Sequence, residues 1–380
     1  MKSALLSFRN QQFIQHPNSD EINSSNVNLV LGFGAKKILQ ESDIYHQLKL
    51  KYPLANIAIC STAGEIYGDE VFDDTISVSV LEFEKTKIKT ATINIENFEN
   101  SVEAGIALIN KLDKESLSHI LILSDGGLVN GSQLVEGINK VVKHKIPVTG
   151  GLAGDGKDFN FTLVGCNDVP SIGTIAAIGF YGSNIEITHG TLGGWEMFGT
   201  EKKITQSINN KLSEIDNNNA LDLYKTYLGK YADELPGSAL LFPLAVTLPN
   251  TSEPVVRTIL SIDNVTKTMT FAGDVPIGSK VRFMKANFDQ LIEAASTAAF
   301  QSIKLNENRK PKLALLISCV GRKIILDSRI DEEVEAVKEI FGEETLLAGF
   351  YSYGEISPFN EHVNCSLHNQ TMTITTFNEA

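Results

Sequence analysis

Three times along this chain a hydrophobic run is followed by a helix-like stretch, a second hydrophobic run, and a turn ending in glycine and an acid. The first copy runs from Leu29-Val30-Leu31-Gly32 to Ser61-Thr62-Ala63-Gly64-Glu65. The second runs from Ile120-Leu121-Ile122-Leu123 to Gly151-Leu152-Ala153-Gly154-Asp155, and the third from Leu313-Ala314-Leu315-Leu316 to Ser352-Tyr353-Gly354-Glu355. Strand–helix–strand units build parallel sheets, and such sheets take ligands where their strands end. A carboxylate beside a permissive glycine at that edge is placed for recognition, although an ordinary turn uses the same residues. The expected fold is α/β in two domains, with pseudo-repeated strand–helix–strand units and mixed sheets carrying antiparallel hairpins.

At 380 residues the chain exceeds the size at which one core usually stops growing. The reading divides it into an N-terminal strand and polar loop over residues 1–27, a first domain over 28–216 and a second over 217–380. The boundary is the polar break Asp216-Asn217-Asn218-Asn219. Residues 35–51 form an amphipathic helix, and Leu134, Ile138, Val141 and Val142 mark the core face of another. Ser101 is a helix cap, and Asn287 with Gln290 resembles a capping box. Alternating residues predict two hairpins, one joining 75–83 to 87–95 and one joining 161–165 to 172–180.

A formal net charge of −13 argues against a general binder of nucleic acid or anionic membranes, which needs a basic surface. It leaves room for a small anion held by one local arginine. No apolar stretch approaches the roughly 20 residues a membrane helix needs, and the N-terminal apolar run is too short for a signal peptide. Cys60, Cys166, Cys319 and Cys365 lie far apart without a C-x-x-C pair, which fits a reduced, cytoplasmic setting and gives no structural zinc site. The histidines at 16, 46, 119, 144, 189, 362 and 368 form no metal-ligand spacing. Gly32-Phe33-Gly34 lacks the third glycine of a dinucleotide loop, and Ser124-Asp125-Gly126-Gly127 lacks the Lys-Ser/Thr of a phosphate loop. No cofactor is expected.

The candidate binding residues therefore gather at strand ends. Ser61, Thr62, Gly64 and Glu65 offer hydroxyls, free backbone N–H groups and a carboxylate; Tyr351, Tyr353 and Glu355 offer a similar set with aromatic faces. Ser318 and Arg322 follow the third unit's first strand, where a guanidinium can grip a carboxylate by two parallel bonds or pair internally with Glu355 or Asp327. Gly151 and Asp155 make the middle copy. Trp195, beside Gly193-Gly194, shapes a pocket or packs between domains. Cys60 and Cys319 are the candidate nucleophiles for an enzyme, provided a base lies near. The sharpest expectation is two half-sites, Gly64-Glu65 and Gly354-Glu355, one from each domain.

These turns also carry a resemblance. Cys60-Ser61-Thr62-Ala63-Gly64-Glu65-Ile66, Gly150-Gly151-Leu152-Ala153-Gly154-Asp155 and Gly193-Gly194-Trp195 with Phe198-Gly199 resemble the N-terminal domain of the FIST family. Ala220-Leu221-Asp222-Leu223-Tyr224, Ile317-Ser318-Cys319-Val320-Gly321-Arg322 and Gly349-Phe350-Tyr351-Ser352-Tyr353-Gly354-Glu355-Ile356 resemble its C-terminal domain. The resemblance implies a sensory module of signal transduction that binds a small ligand, an amino acid or similar polar metabolite, and it supplies no established binding residue. With no kinase, cyclase, methyl-accepting or F-box region recognised, the expected output is a separate signalling partner. An enzyme on a small polar substrate and a non-catalytic scaffold are the alternatives.

Overall fold

The computed structural model describes residues 1–143, 145–249, 251–303, 310–358 and 364–380; His144 and His362 lie outside these. Each repeated unit forms a parallel strand pair. Leu29–Ala35 pairs with Asn56–Thr62, Leu117–Ser124 with Val148–Leu152, and Leu313–Cys319 with Leu346–Ser352. Their near-continuous apolar runs are buried on both faces, as parallel strands under helices require. In every unit an antiparallel strand lies beside the first strand: Ile76–Glu82, Thr174–Tyr181 and Met372–Glu379. Beyond it come Lys2–Arg9, Lys87–Asn94 and Ile185–Leu192. The three units thus centre three six-stranded mixed sheets.

The other flank of each sheet is supplied by a different unit. Glu65–Tyr67, which follows the first unit, pairs with Leu346–Ser352 of the third. Gly354–Pro358, which follows the third, pairs with Val148–Leu152 of the second. Val164–Cys166, which follows the second, pairs with Asn56–Thr62 of the first. The exchange is cyclic, so each glycine–acid turn is a crossing point where the chain leaves one sheet for another.

Neither expected hairpin forms as such. Ile76–Glu82 lies between Leu29–Ala35 and Lys2–Arg9, whereas Lys87–Asn94 pairs with Thr174–Tyr181 in another sheet. The segments 161–165 and 172–180 do not pair as strands; Val164 instead makes a single bridge to Ser171, just before the second of them. Alternation reports that a segment is a strand; it does not name the partner, and burial across sheets outweighed proximity in sequence. The helix over 35–51 is divided into Lys36–Glu41 and Ile44–Lys51 by Asp43 in left-handed backbone. Asn100, not Ser101, caps the helix Ser101–Asn110, its side chain accepting from Glu103 N at 3.0 Å.

In the second unit Gly150 (φ +147°) sits opposite Ile122, and a Cβ there would collide with the Ile122 carbonyl oxygen. Both the left-handed φ and the main-chain contact exclude a side chain. Gly150→Ala is expected to cost on the order of 3 kcal/mol in denaturant unfolding; a loss under about 1 kcal/mol would show that the two strands can part without penalty.

Residues 196–285 build a smaller, antiparallel eight-stranded sheet with its own core, backed by the helix Ala220–Leu228. The polar run at 216–219 is a turn in this sheet, with Asp216 and Asn217 in left-handed backbone and Asn218 pairing back to Ile215. This β unit docks on the second repeated unit. Asn130 Nδ2 donates to Asp274 Oδ1 at 3.0 Å, Asp274 N to Ser132 Oγ at 3.1 Å, and Arg257 donates to the Leu367 carbonyl at 3.0 Å.

Candidate functional site

The three glycine–acid turns meet one another. Gly154 N donates to the Ser61 carbonyl at 3.0 Å, Tyr351 N to the Gly64 carbonyl at 2.9 Å, and Tyr353 N to the Leu152 carbonyl at 3.1 Å. First, second and third turns close a ring of main-chain bonds at the junction of the sheets. Their acids serve that junction. Glu65 is fully buried, meets Thr62 Oγ1 at 2.5 Å, and accepts from Thr75 N at 3.1 Å and Thr75 Oγ1 at 2.8 Å. Glu355 repeats the pattern with Ser352 Oγ at 2.7 Å, Thr371 N at 3.2 Å and Thr371 Oγ1 at 2.9 Å. Each acid lies in one sheet and pins the start of a strand in the next. Burial pushes Glu65 up to about 7 and Glu355 up to about 8.

In the second unit Asp125 takes this role, accepting from Thr162 Oγ1 at 2.9 Å and from Gly173 N at 3.1 Å, just before Thr174–Tyr181. Asp155 is freed for another contact. It accepts from Lys36 Nζ at 2.7 Å and from the Tyr353 hydroxyl, so residues of all three units meet at one carboxylate. Burial works to raise the Asp155 carboxyl, but Lys36, Tyr353 and the Asn160 and Phe161 amides hold it below its ordinary value.

Arg322 points inward as well, to a partner the sequence reading did not single out. Its guanidinium donates to Glu333 Oε2 from Nε at 3.0 Å and from NH2 at 2.8 Å, and to the carbonyls of Gly193 and Leu291, both at 2.7 Å. Ser318 and Tyr351 donate to the other Glu333 oxygen at 3.1 and 2.7 Å. All four side chains are buried. A signal was present: Glu333 stands four and seven residues before Val337 and Ile340, on the apolar stripe of its helix. Trp195 packs against Ala245, Val256 and Met284, and its Nε1 donates to the Gln370 carbonyl at 2.9 Å. Gly64 lies against the Lys323 side chain and Gly151 against Ile317. Glu65, Arg322 and Glu355 therefore do not converge as two half-sites around one pocket; each is buried and satisfied internally, the two glutamates at turns where the sheets interlock and Arg322, on a helix, through Glu333.

A cavity of about 580 Å³ lies beside this hub. Its walls are residues 126–131 at the end of the second unit's first strand, residues 159–162, the start of the helix Val320–Leu326, and residues 258–260 and 271–273 of the β unit. Of the candidate binding residues, Tyr353 alone lines it, its ring stacked on Phe159 at 4.7 Å between centroids. Gly126-Gly127 is legible in the sequence as a strand-end loop, although it lacks the residues of a phosphate loop. Cys319 also lines the cavity; burial pushes its thiol, and that of Cys60, far above the ordinary range, away from the nucleophilic thiolate. Among the described residues no cluster of histidine, cysteine, aspartate and glutamate is arranged to hold a metal ion.

Comparison with known families agrees with this architecture. The FIST N domain matches residues 28–218 and the FIST C domain residues 220–358, meeting in the turn that opens Ala220–Leu228. The chain belongs to the FIST family. FIST domains are sensory domains of signal-transduction proteins. No curated protein matches the chain. No helix of the described residues is long and apolar enough to cross a membrane.

Proposed function

We propose that this chain is a cytoplasmic small-molecule sensor whose ligand sits in the 580 Å³ cavity between the repeated units and the β unit, and whose occupancy is read by a separate output protein. The observation that carries the reading is the composition of the cavity wall. One side belongs to the interlocked sheets, the other to a unit with its own core, so a ligand touching both biases how they dock. The links between Asp274 and Asn130 and between Arg257 and Leu367 are where such a shift would be felt. Glu65, Arg322 and Glu355 enter this reading as the frame that fixes the cavity's rigid side, and Tyr353 as the residue joining frame to cavity.

A thermal-shift screen of small metabolites tests it, since a ligand that binds only the folded state adds about 2.7 kcal/mol at one hundred times its Kd. Gly127 lines the cavity, is exposed, and has room for an added Cβ, whose one close neighbour is Asp125 Oδ1 at 3.7 Å. Gly127→Trp is therefore expected to abolish the shift produced by any hit while leaving the ligand-free melting temperature close to that of the wild type. Hits that shift the variant as much as the wild type would place the ligand elsewhere.

A further inference from the structure

We infer that the cavity takes an uncharged, amphipathic molecule, with a hydrogen-bonding amide or hydroxyl head and an apolar body. The inference rests on the ligand seat proposed above and narrows its chemistry away from free amino acids. Among the described residues, no side chain lining the cavity carries a charge. The guanidinium of Arg257 lies behind the Gly273 wall, and its hydrogen bonds go to the carbonyls of Asp274, Val256 and Leu367. The positive end of the helix Gly131–Val142 also borders the cavity, but Asp274 is already bound to Asn130 and Ser132 at that end. A carboxylate or ammonium placed here would be desolvated with no charged side chain in the cavity wall to pair with it, which is costly.

Two residues that line the cavity each hold a buried side-chain oxygen with no hydrogen-bond partner among the described residues: Thr258 Oγ1 and Asn369 Oδ1. Both residues are more than nine-tenths buried. Buried polar atoms are nearly always paired, so two residues of one cavity wall that each keep an unpaired oxygen mark the side where a ligand donor belongs. Asn369 Nδ2 is engaged by the His368 carbonyl, which leaves its oxygen to accept. The ligand head must then offer an N–H or O–H. At the mouth the chemistry reverses. Leu128, Phe159 and Leu260 are 56%, 55% and 48% exposed, and all three line the cavity. Large apolar side chains that line a cavity yet stay exposed point to an apolar body that covers them.

Matched probes separate head charge from shape: hexanamide and benzamide, hexanoate and benzoate, hexylamine and benzylamine, each titrated calorimetrically and by thermal shift. The amides are expected to bind and raise the melting temperature, with the charged members of each set at least tenfold weaker. Thr258→Val should weaken amide binding about tenfold, yet leave the ligand-free melting temperature unchanged or higher, because the hydroxyl it removes has no partner to lose. Charged probes binding as well as amides, no binding by either amide, or an indifferent Thr258→Val would each overturn the inference. If charged probes bind and Gly127→Trp blocks them, the cavity remains the seat and only its chemistry is wrong; if Gly127→Trp blocks nothing, the seat itself fails.

Discussion

Between about pH 6.5 and 8.5 the wild-type chain should lose roughly 2–3 kcal/mol of stability, and the double variant Glu65→Gln, Glu355→Gln should lose little. Both carboxyls titrate higher in the folded chain, at about 7 and about 8, than the ordinary value of 4.5. The folded state therefore holds two protons that the unfolded chain has released. That stabilisation is complete below the unfolded value and disappears as pH rises through the folded ones. Two buried histidines act in the opposite sense lower down. Burial lowers His119 to about 3 and His368 to about 4, so the unfolded chain gains protons below about 6.5 that the folded chain refuses. The two sets oppose one another between about 4.5 and 6.5; above that the glutamates dominate, joined toward pH 8.5 by the buried thiols, whose raised values keep protons that the unfolded chain releases.

Glutamine reproduces the protonated form at both sites: its NH₂ can face Thr62 or Ser352 while its carbonyl accepts from Thr75 or Thr371. The variant should consequently keep its alkaline stability and lose the plateau, becoming steadily less stable from about pH 6.5 down to 4.5 as the histidine effect is uncovered. Denaturant midpoints measured across the range decide the matter. An undiminished alkaline fall in the double variant would assign it to other groups.

The second large effect is expected at the Arg322–Glu333 pair. Arg322→Met should cost about 3–5 kcal/mol, because it strands the Glu333 carboxylate in a site where neither partner has any exposed surface. Glu333 loses two charge-assisted bonds, and the Gly193 and Leu291 carbonyls each lose one. Replacing both residues, Arg322→Met with Glu333→Leu, should recover much of the loss, since an absent charge needs no partner; Ser318 and Tyr351 would still lack their acceptor. Additive losses in the double variant would mean that the two side chains are not coupled.

Much of the fold was legible. Apolar runs at Leu29–Ala35, Leu117–Ser124 and Leu313–Cys319 fixed three parallel strand pairs, because a strand buried on both faces has few other ways to read. Partner choice was not. Thr75 to Phe83 reads as half of a local hairpin, yet Ile76–Glu82 lies between strands of its own sheet and leaves Lys87–Asn94 to another. The candidate residues lie inside the junction rather than around a pocket for a related reason. Glu65 and Glu355 look like recognition groups at strand ends, but a strand end is open only if the chain does not continue into a neighbouring sheet. Here it does, at each of the three turns.

The sequence by itself determined three α/β units, their strand directions, the turn that closes each, and through its motifs membership of a sensory family. Local patterning suffices for these, since burial period and turn chemistry act over a few residues. Only the tertiary structure decided that the turns close on one another in a ring, that Glu333 rather than an outside ligand answers Arg322, and that the cavity lies beside Gly126-Gly127 with an uncharged wall. Those outcomes depend on which buried polar groups meet across sheets far apart in the chain, and desolvation penalties leave each of them one partner that folding alone can supply.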